Sequence, residues 1–85
     1  MAARRGQHAE GERLAQEAVE LASRTQNLEG QANAHADLGE VLALAGRPRE
    51  AADAYEEAVA RYERKGDVVS AGRVRRARQE LPAPA

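Results

Sequence analysis

Histidine and carboxylate side chains offer the first candidate chemistry in this 85-residue sequence, which contains two histidines. His8 and Glu12 are four residues apart, so a helix would place both on one face, where they can approach a single metal ion. Protein zinc sites use at least three protein ligands, and this pair lies near the start of the chain, where backbones fray. The pattern therefore predicts neither a metal site nor a cofactor.

Nucleophiles and phosphate-binding loops are the next candidates for catalysis. Ser23 and Ser70 have no histidine and acid in an arrangement typical of a catalytic triad. The segment GQHAEGER contains two glycines five residues apart, but it lacks the lysine and the serine or threonine of a phosphate-binding loop. The sequence thus predicts a protein that is not an enzyme.

A basic segment near the end of the chain can bind phosphate or an acidic peptide. The formal net charge of −1 and the absence of aromatic residues between these arginines argue against general affinity for nucleic acid. A regulatory accessory domain that contacts nucleic acid through this last helix stays open as the alternative function. The segment contains Arg73, Arg75, Arg76 and Arg78.

Composition limits the class of protein further. The chain has no cysteine, which excludes disulfides and thiolate metal sites. It has no apolar run near the ~20 residues that span a bilayer, and no apolar segment follows its arginine-containing start as in a secretory signal. We expect one small cytoplasmic domain at residues 7–81. The first six residues and the tail at residues 82–85 are predicted to be disordered.

The elements that would position these side chains are helices, because apolar residues recur every three or four positions along the chain. Two such stripes in the centre are separated by a few residues only. Gly46 can adopt the left-handed conformation that ends a helix, and Pro48 suits the first turn of the next. So short a connection predicts an antiparallel αα-hairpin. The stripes are Ala34, Leu38, Leu42 and Ala45, then Ala51, Tyr55, Ala58, Val59 and Tyr62.

The hairpin resembles a tetratricopeptide repeat, whose pattern includes Leu-Gly and a large residue, then Ala, an aromatic residue and Ala. His35 stands where tryptophan is usual, which implies that it packs between the hairpin helices, and Glu63 stands where the closing proline would fall. The segment GRPREAADAYEEAVARYERKGD also resembles C-terminal repeat arrays of actinobacterial ATPase-type regulators. The matching residues are Leu38, Gly39, Leu42, Ala51, Tyr55 and Ala58.

An internal similarity at a spacing of forty residues extends the hairpin in both directions. Shifted by forty, QEAVELASRTQN falls on EEAVARYERKGD, with Ala18 on Ala58. Asn27 falls on Asp67, and both residue types are favourable N-caps for the helix that follows. The first helix, predicted from His8 to Thr25, then corresponds to the second helix of an earlier repeat, and a fourth helix is predicted from Val68 to Leu81. The predicted fold is all-α, with about four antiparallel helices in an α-α superhelix fragment.

The resemblance implies that partner segments lie along the concave surface, which the first helix of each repeat lines. The groove is expected to hold a peptide, a helix of a larger parent protein, or a second copy of the chain. In the alternative interpretation these charged residues are a solvated face, with Glu40 near Arg76. The groove residues that the resemblance implies are Asn33, Asp37, Glu40, Leu44, Arg73 and Arg76.

Two repeats bury their apolar faces incompletely, because stacking in such arrays usually needs three or more units. Both end helices should therefore expose apolar residues, which another protein surface is expected to bury. A symmetric dimer is the simplest arrangement that would bury them, and docking on the rest of a parent protein is the next. The residues expected to be exposed are Leu14, Val19 and Leu21 at one end, and Val69, Val74 and Leu81 at the other.

Overall fold

The computed structural model describes the backbone of residues 2–82 and the side chains of residues 8–82. The described residues form four α-helices and no strand. The all-α prediction and the number of helices are confirmed. The helices are α1 Ala2–Ser23, α2 Leu28–Leu44, α3 Pro48–Lys65 and α4 Val68–Gln79.

Each helix packs against its neighbours in the sequence, and the most extensive pairing is between α2 and α3. Helix α1 packs on α2, and α4 packs on α3, so the four helices are stacked in chain order. The result is a flat body with extents of 42 × 28 × 16 Å. A stack of this kind has two ends, and α1 and α4 occupy them.

The predicted N-caps begin two of the helices in the same way. Asn27 Oδ1 accepts a hydrogen bond from the backbone N–H of Gly30 at 3.1 Å. Asp67 Oδ1 accepts one from the backbone N–H of Ser70 at 3.0 Å. Because each cap bonds the third residue after itself, α2 and α4 begin at equivalent positions, and the forty-residue spacing is a structural repeat as well as a sequence similarity.

The connection between α2 and α3 follows the predicted pattern. Gly46 has a positive φ of 78°, a conformation in which a side chain would be strained. Its N–H and that of Arg47 bond back to the last turn of α2. Pro48 occupies the first turn of α3, where no intrahelical N–H bond is lost. Local chemistry alone therefore ends one helix and begins the next.

The core lies between α2 and α3 and continues to α4. Small residues dominate it, and the alanines at its centre are fully buried. Gly39 shows why: a Cβ atom built there would lie 2.5 Å from the ring of Tyr55. The two helices are therefore as close as a glycine allows. The core contains Ala32, Leu42, Ala51, Ala54, Tyr55, Ala58, Tyr62, Ala71 and Val74.

Two helix ends differ from the predicted bounds. Helix α1 begins at Ala2, before the predicted start near His8, because alanine and arginine favour helix. Helix α4 ends at Gln79, short of Leu81. Fraying of the first six residues in solution and disorder of the tail at residues 82–85 stay predictions. Met1 and residues 83–85 lie outside the described residues.

The exposed apolar residues at the two ends match the predicted set in part. Leu14 and Leu21 on α1 and Val69 on α4 are exposed. Val74 is buried, because it lies on the side of α4 that packs against α3. Each end helix thus buries one of its sides against the neighbouring helix and exposes the other to solvent. The half-buried members of the predicted set are Val19 and Leu81.

Candidate protein-interaction groove

A groove with a volume of about 660 Å³ runs between α2 and α4. Its walls come from these two helices, and two tyrosines of α3 form its floor. The helices reach this arrangement because α2 and α4 pack on the same helix, α3, from its two neighbouring sides. The lining residues are Asn33, Ala36, Asp37, Glu40, Tyr55, Tyr62, Arg73, Val74 and Ala77.

The structure brings four of the six sequence-predicted groove residues together. Asn33, Asp37 and Glu40 line the α2 wall, and Arg73 lines the α4 wall. Leu44 and Arg76 do not line the groove. Leu44 is exposed at the C-terminal end of α2, and Arg76 is exposed on α4 beside the wall.

Sequence reasoning assigned Tyr55 and Tyr62 to the core and missed their place in the groove. Both rings are buried, yet one edge of each is accessible from the groove as its floor. The apolar stripe that contains both tyrosines faces α2 and α4, the two neighbours of α3. The forty-residue repeat could have indicated this, because it predicts a helix on each side of α3.

Tyr62 is tied to the α2 wall. Its hydroxyl donates a hydrogen bond to Asn33 Oδ1. Burial raises the pKa of the Tyr62 phenol above its ordinary value; Arg73 opposes this shift, and Asp37 is one of the carboxylates that add to it. The phenol is therefore neutral and available as a donor at physiological pH. This hydrogen bond fixes the position of one ring in the floor.

Tyr55 forms the other half of the floor. Its ring lies against Gly39, where any side chain would collide with it. Burial, and then the nearby Glu40 carboxylate, raise the pKa of its phenol above the ordinary value. Tyr55 thus presents a neutral aromatic edge between the two walls, suited to contact with the apolar part of a peptide side chain.

The two walls carry opposite charge. Asp37 and Glu40 make the α2 wall acidic, and Arg73 makes the α4 wall basic. Within the described residues, no ion pair joins Glu40 to Arg76, the pairing that the solvated-face interpretation expects. The facing charges are separated by the groove rather than neutralised across it.

The basic segment does not form a single patch. Arg75 pairs with Glu63 of α3, and Arg78 pairs with Glu56 of α3. These two pairs lie on the other side of α4 from the groove residue Arg73, around a small cavity between α3 and α4. Two of the four arginines are thus already partnered by carboxylates, which weakens the case for a nucleic-acid surface.

His35 lies outside the groove, half-buried in a cleft that Gln16 of α1 and Glu57 of α3 also line. Burial lowers the pKa of its imidazole, Arg61 lowers it further, and Glu57 opposes the shift. The neutral form is therefore favoured in the folded chain. Among residues 8–82, no group of three or more His, Cys, Asp or Glu side chains is placed to hold a metal ion.

A membrane crossing would need a long, apolar helix. None of the helices in the described part of the chain combines that length with that apolar character.

Stacked antiparallel helices with a shallow groove on one side define the class of α-helical repeat proteins. The family model of the tetratricopeptide repeat matches residues 1–64, which cover α1, α2 and most of α3. The chain belongs to the tetratricopeptide repeat family. Proteins of this family generally serve as protein–protein interaction modules and are of a non-catalytic scaffold type. No curated protein and no solved structure shows a significant match.

Proposed function

We propose that this chain is a scaffold that binds a peptide or a helix of a partner protein in the groove between α2 and α4. The observation that carries the proposal is the groove itself: a tyrosine floor between an acidic and a basic wall. Asn33, Asp37, Glu40 and Arg73 are the proposed contacts. Leu44 and Arg76, which are exposed but do not line the groove, would contact a partner only where it extends past the walls.

The charges of the walls define the chemistry of the partner. A bound segment carries a lysine or arginine toward Asp37 and Glu40, and a carboxylate toward Arg73. Exposed ion pairs are worth about 0.2–1 kcal/mol each, so charge orients the segment and contributes modest affinity. Contact with the rings of Tyr55 and Tyr62 supplies the apolar part of the binding energy.

The test uses a peptide selected from a display library against the whole chain, with its Kd measured by fluorescence anisotropy. Arg73→Glu removes one attraction and adds a repulsion, so we expect Kd to rise by about tenfold, which corresponds to about 1.4 kcal/mol. Arg49→Glu is the matched control, because Arg49 is an exposed arginine on α3 that does not line the groove. Its Kd should stay within about twofold of the wild-type value.

An unchanged Kd in Arg73→Glu would show that the peptide binds elsewhere and that the wall charges only face solvent. Circular dichroism should show the same helix content in all three proteins, which would exclude loss of folding as the cause of a changed Kd.

The open ends of the stack support a second part of the proposal, self-association or docking on a larger parent protein. Leu14 and Leu21 on α1, and Val68 and Val69 on α4, are more than half exposed. Large apolar side chains grouped at the end of a helical stack are typical of surfaces that another protein covers. A cytoplasmic location, expected from the sequence, stays a prediction.

A further inference from the structure

The two ends of the stack carry faces of opposite type. We define the N-end face as Leu14, Ala18 and Leu21 of α1, and the C-end face as Val69, Gly72 and Gln79 of α4; all six residues are exposed. Neither face contributes to the lining of the groove.

At the forty-residue spacing, two residues of each face have a buried counterpart inside the same chain. Leu14 and Ala18 correspond to Ala54 and Ala58 of α3, which are 6% and 0% exposed where α3 packs on α2. The N-end face is therefore the surface with which a helix of this type packs on a preceding helix.

The C-end face has its own counterpart on α2. Gly72 corresponds to Ala32, which is 0% exposed, and Gln79 corresponds to Gly39, which is buried against Tyr55. On α4 a Cβ atom added at Gly72 would meet nothing within 4 Å. The C-end face is thus the surface that receives a following helix, and it is open.

From this pair of faces we propose that the chain associates head to tail, with α1 of a second copy packed on α4 as α3 packs on α2. The inference deepens the self-association part of the proposed function by naming the occupant and its orientation. In this arrangement α4 and the second copy's α1 complete a helical hairpin.

Side-chain volumes at the proposed contact compensate each other. Inside the chain, the closest approach pairs the smallest residue, Gly39, with the large ring of Tyr55. The corresponding pair between copies is Gln79 with Ala15, a larger residue facing a smaller one. The helices can therefore approach closely without the glycine that α2 requires.

Apolar residues at the rim of the contact also correspond. Inside the chain, Arg61 near the end of α3 bonds the side chain of Gln31 near the start of α2. At the forty-residue spacing Leu21 occupies the position of Arg61, and Ala71 that of Gln31, one turn after Val68. The polar pair within the chain thus has an apolar counterpart between copies, and Leu21 would approach the start of α4, where Val68 and Val69 are exposed. The exposed apolar residues of both ends cover one another.

Charge favours the head-to-tail pairing over a symmetric one. Helix α4 contains four arginines and no acidic residue, whereas α1 contains four glutamates and three arginines. In each copy Arg75 and Arg78 pair with carboxylates of α3, so two α4 helices packed together would bring the remaining arginines, Arg73 and Arg76, of both copies near one another. Two α1 helices would each present net negative charge. Packing α1 on α4 instead joins opposite charges, and it places Glu17 near Arg75, as Glu57 lies near His35.

A head-to-tail contact leaves one open face of each kind on every assembly. Growth therefore continues beyond the dimer instead of stopping at two copies, as heterologous contacts do unless they close into a ring. Sedimentation velocity of the 85-residue chain from about 5 to 500 µM should show a weight-average mass that rises past two copies, since weak contacts of this kind have micromolar or weaker Kd.

Single-face variants provide the decisive test. Leu21→Glu blocks the N-end face, and Gly72→Glu blocks the C-end face, because Gly72 corresponds to the fully buried Ala32. Leu21 is 62% exposed and a Cβ atom at Gly72 would meet nothing within 4 Å, so the fold should be retained. Each variant alone should be a monomer in the range where the wild type associates. An equimolar mixture should form a one-to-one dimer that does not grow, because each variant supplies the face that the other lacks.

Leu44→Glu is the matched control, an equally exposed leucine outside both end faces, and it should associate as the wild type does. A monomeric wild type over the whole range would overturn the proposal. So would a mixture that stays monomeric, or a variant that still dimerises alone, which is the behaviour of a symmetric contact. Peptide binding by the Leu21→Glu and Gly72→Glu monomers tests the groove separately, so failure of one proposal does not imply failure of the other.

Discussion

Gly39→Ala tests the close approach of α2 and α3 on which the fold depends. The added methyl group would lie 2.5 Å from Cδ1 and 2.6 Å from Cε1 of Tyr55. Carbon atoms in contact are normally about 3.5–4.0 Å apart, so the ring or the helix must move by about 1 Å. Tyr55 is 6% exposed and only an edge of its ring faces the groove, so moving the ring disturbs its packing in the core.

Two effects of opposite sign determine how much Gly39→Ala changes the free energy of unfolding. Alanine in place of glycine favours a helix by up to about 1 kcal/mol. Overpacking a well-filled core costs about 1–3 kcal/mol. We therefore expect Gly39→Ala to lower the free energy of unfolding by about 1–2 kcal/mol. In Gly72→Ala, where the added Cβ meets nothing within 4 Å, only the helix-propensity gain remains, so this variant should be more stable by up to about 1 kcal/mol.

Urea unfolding followed by circular dichroism measures both changes, at low micromolar concentration so that self-association does not contribute. A double-mutant cycle is completed by repeating Gly39→Ala in a Tyr55→Leu background, which removes the ring. There Gly39→Ala should stabilise the chain as Gly72→Ala does. If Gly39→Ala is neutral or stabilising with Tyr55 present, glycine at position 39 is not what sets the spacing of the two helices.

Two further predictions concern polar groups. Tyr62→Phe removes the hydrogen bond to Asn33 and should lower the free energy of unfolding by about 0.5–1.5 kcal/mol in urea; no loss would show that the bond does not contribute. The pKa of His35 is lowered in the folded chain from an ordinary value of 6.5, so the unfolded chain binds the proton more tightly. Stability should therefore fall as pH drops through 6.5 toward the folded-state pKa, and His35→Gln should flatten this dependence in unfolding curves measured at a series of pH values. An equal slope in both proteins would contradict this assignment.

Elements with local signals were predictable from the sequence. Helix caps and turns depend on interactions within a few residues of the chain, so they can be recognised without knowing which helices pack together. Examples are the cap at Asn27, the positive-φ turn at Gly46 and the first-turn Pro48. Four of the predicted groove residues also lie together, because the regular spacing of a repeat converts sequence position into position on a face. Helix ends were less predictable, since alanine and arginine extend a helix without marking its start.

Only the tertiary structure decided which side of each helix is covered. Val69 and Val74 both belong to the apolar set of α4, yet Val69 is 76% exposed and Val74 is 9% exposed. Burial of these valines depends on where α3 lies, and the sequence of α4 does not indicate which of its sides packs on α3. For the same reason Arg75 pairs with α3 while Arg73 lines the groove. A sequence by itself specifies helices and their stripes; the packing of one helix on another determines which stripe becomes core, groove or open end.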